Sequence, residues 1–391
     1  METKKPDDFG AASTSVEAPV KPQSPALAAD PNFVELWDRR VPFPAFDEMF
    51  DVDVVTHVSV QKAVAGQYHY LHETAIEYHN GALYMAWANG PEGEVNLRGE
   101  IIRGRTSTDG GLTWSEPEIL VAPPVCGAEG WNHPCLTSHA GKLWGFFTRF
   151  NDERPHTDVF LRDDATGKWT PCGVSLPGFI PLRSPLKMRD GNWIMGGEDY
   201  WYEAAVAISA GDDFTKWKLV HITRPEAVFL RFPETALLDF GDELVAVCRP
   251  HEKPTAPVSV SRDCGQTWAP LAYSNFPVAG SQPYGGVLST GQRYLLTNSL
   301  EEGRALLTIA VTAPHARKFT RIWKVRHQRW PKRRLFAGVF WKGKLHKPML
   351  GQPTEWSYPA AIEHADNLYV TCTQGKEDAV LSIIPVRVLA V

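Results

Sequence analysis

The sequence has no apolar run long enough to cross a membrane as a helix. Its start, Met1-Glu-Thr-Lys-Lys-Pro-Asp-Asp8, leads into no apolar segment of the kind a secretory leader carries, although Ala26-Leu-Ala-Ala29 imitates a cleavage site. These absences set the expectation of a cytoplasmic protein with no membrane partner. Positive charge is not in excess either: 40 Lys and Arg face 45 Asp and Glu, for a net charge of -5. A nucleic-acid partner therefore has no electrostatic support beyond Lys332-Arg333-Arg334, which reads as a solvated loop. Cysteine is sparse, six residues without CxxC spacing, which excludes a disulfide scaffold and a zinc site of the usual pattern. Several lie in apolar stretches, as in Val245-Ala-Val-Cys248 and Val370-Thr-Cys372, and read as free buried thiols. No metal site and no cofactor is expected; spacing alone does not identify a carboxylate-lined calcium site.

What is present is apolar and aromatic material for a large core: 43% of the 391 residues are hydrophobic and 11% aromatic. Residues 1 to 30 are the exception, rich in Pro, Ala, Ser and charge, and are expected to form a disordered tail because they bury too little to offset the entropy of ordering. Residues 31 to 391 are expected to form one all-β domain, since short apolar or alternating runs broken by Gly, Asp and Asn mark strands joined by tight turns.

These runs repeat. Ala75-Ile-Glu-Tyr-His-Asn-Gly81-Ala-Leu-Tyr84 returns as Cys135-Leu-Thr-Ser-His-Ala-Gly141-Lys-Leu-Trp144, and again around Gly191, Gly241, Gly291 and Asp366. A spacing of about 50 residues suits one four-stranded blade per unit, so the expected architecture is a six-bladed β-propeller. Two packed β-sandwiches would explain the strands but not the period. The longer step to Asp366 contains Gly338-Val-Phe-Trp-Lys-Gly343-Lys-Leu-His346, expected as an extra hairpin. Ring closure is expected to pair a strand near Val52 to Val60 with the C-terminal strands ending at Val388.

The most specific local signal is Ser107-Thr-Asp109-Gly-Gly111-Leu-Thr-Trp114, repeated as Ser261-Arg-Asp263-Cys-Gly265-Gln-Thr-Trp268. In this S-x-D-x-G-x-x-W pattern, the Asp box, Asp can accept backbone N–H groups, Gly relieves a tight position and Trp covers the turn. The box is structural, and Asp109 and Asp263 are not catalytic candidates. A weaker variant stands at Asp212-Asp-Phe-Thr-Lys-Trp217. With these boxes on a six-fold repeat, residues 50 to 391 resemble the sialidase (neuraminidase, BNR-repeat) superfamily. The resemblance implies a sialidase-like propeller with its site at one mouth, where the inner strands begin; the fold alone does not decide the activity.

The six strand starts read His72-Glu73-Thr, Asn132-His133-Pro, Arg183-Ser-Pro, Arg231-Phe-Pro-Glu234, Gln282-Pro-Tyr284 and Ser357-Tyr358-Pro. Polar residues converging on one axis suit an anionic sugar. Glu234 and Arg249 are similar to the family's blade-four pair, in which the Glu activates a tyrosine nucleophile and the Arg holds the substrate carboxylate. Tyr358 matches the position of that nucleophile. A phenol needs such a base, because its ordinary pKa near 10 leaves it protonated at neutral pH. The chain departs from the family pattern at His72-Glu73-Thr74, where Arg-Ile-Pro is usual, and at Gln282-Pro-Tyr284, which lacks the third arginine; Arg183 and Arg231 are the candidate substitutes. Glu92 and Glu94 lie on the loop where the family carries its general acid. Arg149, Glu198, Asp199 and Arg249-Pro-His251 enlarge the ring of charge at the same mouth.

Three readings follow. The first is an exo-acting glycoside hydrolase releasing a terminal acidic sugar from a glycan: Tyr358 attacks, Glu234 is its base, Glu92, Glu94 or His72 is the acid, and Arg183, Arg231 and Arg249 orient the substrate, with His133, Gln282 and Tyr284 as further binding candidates. The second is a lyase of the rhamnose-glucuronate type, in which His72 or His133 removes the proton beside a uronate carboxylate. The third is a non-catalytic carbohydrate-binding propeller using Trp131, Trp201 and Trp356 for stacking.

Overall fold

A computed structural model describes residues 32–64, 67–91, 99–123, 129–151, 154–200, 202–299, 303–328 and 355–391, with the backbone only for 339–341 and 344–346. The expected tail, Glu92, Glu94, Cys126, Trp201 and Lys332-Arg333-Arg334 lie outside these residues.

The all-β, six-bladed propeller is borne out. Blade one pairs Tyr70–His79, Ala82–Gly90, Ile101–Ser107 and Glu118–Val121 in that order. Blade two pairs Gly130–His139, Lys142–Phe150, His156–Arg162 and Trp169–Pro177. In blade three the inner strand is split into Phe179–Pro181 and Leu186–Lys187, both paired with Trp193–Asp199, before Glu203–Ala210 and Asp213–His221. Pro185, which has no N–H to give, falls in the interruption. Blade four pairs Thr235–Asp239, Leu244–Cys248, Thr255–Ser261 and Ala272–Pro277; blade five pairs Tyr284–Val287, Arg293–Asn298, Leu306–Thr312 and Phe319–His327.

Blade six takes Trp356–His364, Asn367–Gln374 and Asp378–Pro385 from the C-terminus, and Thr56–Gln61 adds the outer strand with Val58 opposite Leu381. The closing strand thus sits slightly later than the sequence pattern placed it. Val339–Trp341 and Lys344–His346 form a separate two-stranded hairpin, as expected. The first strands pack on one another around the ring, Tyr70–His79 touching both Gly130–His139 and Trp356–His364, and no sandwich is present among the described residues.

Each blade is covered on both faces by its neighbours, and the two-residue period distributes its side chains accordingly. In blade one, Leu83, Met85 and Trp87 pack with Tyr369, Ala379 and Leu381 of blade six. Ala86 and Ala88 point the other way, toward Trp131, Leu136 and Phe147 of blade two. A large apolar side chain buried in such a seam stabilises by about 1.5–3 kcal/mol. Trp131 and Trp356 are both buried in these seams, which removes them from the stacking role expected of a binding propeller.

The Asp boxes fasten the hairpins. Asp109 Oδ1 accepts from Thr113 N at 2.9 Å and Leu112 N at 3.1 Å, Ser107 Oγ accepts from Gly111 N at 2.9 Å, and Trp114 Nε1 donates to Gly111 O at 3.0 Å. Hydrogen bonds from Thr113 lower the Asp109 carboxyl to a pKa of about 2. The second box repeats the pattern through Asp263, Thr267 and Trp268. Gly265 has φ +79°, and a Cβ there would lie 2.7 Å from Ile194 Cδ1 of blade three, so glycine is required. The weaker variant keeps its Trp217 Nε1 to Phe214 O bond at 2.7 Å. Cys135, Cys248 and Cys372 are free and buried; Cys172 and Cys264 are free but only partly buried. Among the described residues no helix is long and apolar enough to cross a membrane.

Candidate active site

The inner strands of blades one, two and six share one irregularity at the mouth. Register shifts lie between His72 and Thr74, between Asn132 and Cys135, and between Ser357 and Ala360. Glu73, His133 and Tyr358 occupy these bulges in the left-handed region, at φ 53°, 46° and 56°, and Phe232 does the same at 56° where blade four begins. A bulge re-aims a side chain, and left-handed backbone at a non-glycine residue is strain that surrounding structure must hold. Blades one, two and six thereby re-aim Glu73, His133 and Tyr358 at the mouth.

Blade four supplies a carboxylate and an arginine from one hairpin. Arg249 N donates to Glu234 O at 2.9 Å, which places the two side chains next to each other across the ladder. Arg249 Nη1 donates to Glu234 Oε1 at 2.9 Å and to the Tyr358 hydroxyl at 3.3 Å. The Tyr358 hydroxyl donates to the same Glu234 Oε1. All three side chains are largely buried. Burial, then the charge of Glu234, pushes the Tyr358 phenol well above its ordinary value, with Arg249 and Arg304 opposing. Burial works against the charge of Arg249, but Glu234 and then Tyr358 outweigh it and hold the guanidinium above its ordinary value.

His72 lies against this group, its ring 4.0 Å from that of Tyr358. Its Nδ1 is 3.4 Å from Thr373 Oγ1, and its buried Nε2 has no hydrogen-bond partner among the described residues. Burial first, then the charges of Lys376, Arg304, His133 and Arg249, hold the imidazole well below its ordinary pKa. A neutral imidazole is a proton acceptor rather than an acid at neutral pH, so His72 is poorly suited to the acid role considered for it.

His133, Arg183, Gln282 and Tyr284 gather beside that group, not within it. With Glu73 and Cys135 they line a small cavity between the inner strands. His133 Nε2 is 3.2 Å from Glu73 Oε1, and His133 N donates to Glu73 Oε2 at 3.0 Å. Arg183 donates to Ser184 O at 3.1 Å and Leu237 O at 2.7 Å, Gln282 to Leu182 O at 3.0 Å and Tyr284 to Ala361 O at 3.1 Å. These bonds tie blades together and commit polar atoms that the sequence pattern assigned to a substrate. Arg231 lies over the Phe232 ring at 5.3 Å, which also lies 5.8 Å from Arg249. Arg149 is paired with Asp158 and Glu129, and Asp199 with Arg154 and His221.

Two cations at the site have no place in the sequence expectation. Arg304 lies 5.5 Å over the Tyr358 ring, and Lys376, whose carbonyl accepts from Leu71 N at 2.8 Å, bears electrostatically on His72. Each lies just beyond the second strand of its blade, after Arg293–Asn298 and Asn367–Gln374. The strand-end position that yields Arg149, Glu198 and Arg249 falls at Asn298 in blade five and at Gln374 in blade six, so extending it finds neither cation.

A BNR repeat-like domain matches residues 81–370 of the sequence. The chain belongs to this family. Among solved structures this BNR repeat-like chain is similar to a Hadza microbial sialidase, Hz136, at 14% identity and a TM-score of 0.60, over 83% of this chain and 66% of that one. It is similar to Trypanosoma rangeli sialidase in complex with sialic acid at 14% identity and a TM-score of 0.59, over 86% and 60%. A protein of unknown function from Dyadobacter fermentans matches at 16% identity and a TM-score of 0.57, over 84% of this chain and 98% of that one. The chain thus spans only 66% and 60% of the length of the two sialidases. No curated protein matches the sequence.

Proposed function

We propose that the chain is an exo-acting glycosidase that releases a terminal acidic sugar from a glycan, with Tyr358 as nucleophile and Glu234 as its base. The observation that carries this reading is the convergence of the Tyr358 hydroxyl and Arg249 on one oxygen of Glu234. The phenol holds its proton at neutral pH. Attack on an anomeric carbon therefore needs the proton to move to Glu234 as the bond forms, and the existing hydrogen bond provides that path. Arg249 stays close to both oxygens between which the negative charge moves. Arg249 and Arg304 beside Tyr358, with Lys376 bearing on the adjacent His72, favour a sugar carrying a carboxylate.

A lyase is the second reading, favoured by one observation: the neutral His72, with an unpartnered Nε2 beside Tyr358, is a competent proton acceptor. Incubation with sialylated and uronate-containing oligosaccharides in heavy-oxygen water separates the two. Heavy oxygen in the released sugar supports the glycosidase; an unsaturated product without label contradicts it and supports elimination.

A further inference from the structure

Glu198 is the penultimate residue of the second strand of blade three, next to Asp199, and the two acids meet opposite surroundings. Asp199 is paired with Arg154 at 2.7 Å and with His221 at 3.0 Å. Glu198 is buried, and its Oε2 has no hydrogen-bond partner among the described residues. The charged groups bearing on it are Glu234 and Asp199, which repel a second negative charge, and Arg249, which attracts one. Burial first, then Glu234, raises the Glu198 carboxyl well above the ordinary range.

Two neighbouring carboxylates in a buried site do not both ionise at neutral pH, and the one better supplied with donors gives up its proton first. Glu234 receives Arg249 at 2.9 Å and the Tyr358 hydroxyl as well. Glu198 receives neither, so the proton stays on Glu198. Two carboxylates driven apart in this way mark an acid and a base. Neutral His72 does not fill the acid role.

We propose that Glu198 is the proton donor of the active site, protonating the departing glycosidic oxygen while Glu234 takes the phenol proton of Tyr358. The inference rests on the glycosidase reading above. In the first step the bond from the anomeric carbon to the leaving oxygen breaks, a bond from that carbon to the Tyr358 oxygen forms, and the leaving group departs as an alcohol with the proton of Glu198. In the second step water adds its oxygen to the anomeric carbon and gives one proton to Glu198, the bond from that carbon to the Tyr358 oxygen breaks, and Glu234 returns its proton to the Tyr358 oxygen. Both carboxyls end as they began.

The test compares wild type with Glu198→Gln on two kinds of glycoside of sialic acid and of glucuronic acid: 4-nitrophenyl glycosides, whose leaving group departs with little protonation, and sugar-linked glycosides, which need it. Glu198→Gln is expected to lower kcat/KM on the sugar-linked substrate by about 10²–10⁴-fold and on the 4-nitrophenyl substrate by no more than about tenfold. The alkaline limb of the sugar-linked pH profile, set by loss of the donor's proton, is expected to vanish. An equal loss on both substrates, or none on either, overturns the role of Glu198. If Glu198→Gln does not fold, Glu198→Asp, which keeps a carboxyl on a shorter arm, is expected to show the same split. Absence of any sugar release by the wild type overturns the glycosidase reading itself, whereas wild-type turnover with an unselective loss in the variant overturns only the donor.

Discussion

The Tyr358 hydroxyl lies 3.3 Å from Arg249 Nη1, and both groups donate to the same oxygen of Glu234. The base thus arrives already joined to its nucleophile and to the cation that shares its charge. Tyr358→Phe and Glu234→Gln are each expected to lower kcat/KM by at least about 10²-fold. Their double mutant should lose little more than the worse single, because the two act as one unit. Steady-state kinetics on any cleaved substrate checks this, and additive losses would contradict the coupling.

Arg249 also keeps a buried carboxylate paired. Arg249→Met leaves Glu234 as an uncompensated buried charge and is expected to cost about 3–5 kcal/mol of stability. Adding Glu234→Gln to that variant removes the stranded charge and should restore much of the loss. Urea unfolding of the three variants measures both quantities.

His72, on the inner strand of blade one beside Tyr358, gives the protein a pH dependence of known sign. Burial lowers its pKa below the ordinary 6.5, so the unfolded chain binds a proton that the folded chain refuses. The stability this contributes is complete above pH 6.5 and is lost as pH falls from there toward the depressed value. His72→Gln should lose less stability than wild type over that window, and parallel curves for the two proteins would contradict the assignment.

Gly265 tests the structural role of the Asp box. At φ +79°, with Ile194 Cδ1 2.7 Å from an added Cβ, Gly265→Ala is expected to destabilise by about 1–3 kcal/mol while leaving kcat/KM of the folded protein unchanged. Thermal unfolding and kinetics together decide this. A loss of turnover without a loss of stability would assign the box a functional role.

What the sequence made legible was local. The glycine period and the Asp boxes are features of single hairpins, where turn chemistry depends on a few adjacent residues, and they were enough for six blades. Glu234 and Arg249 were legible for the same reason, since one hairpin brings them together. Tyr358 was placed only through its likeness to a family pattern, because ring closure, not local order, carries it to Glu234. The directions of Arg183, Gln282 and Tyr284 depend on carbonyls of neighbouring blades or strands, which no run of residues shows. Arg304, Lys376 and the isolation of Glu198 were missed because they follow from loops that meet only at the mouth. Trp131 and Trp356 read as candidate platforms until the adjoining blades covered them.

The most direct test of the central claim is to trap the nucleophile. The protein is incubated with 2,3-difluorosialic acid and with 2-fluoro-uronyl fluorides, digested, and analysed by peptide mass spectrometry. A covalent sugar on the peptide containing Tyr358, absent from Tyr358→Phe, is the expected result. An adduct on another residue, or none from a sugar the protein demonstrably hydrolyses, would contradict the role of Tyr358.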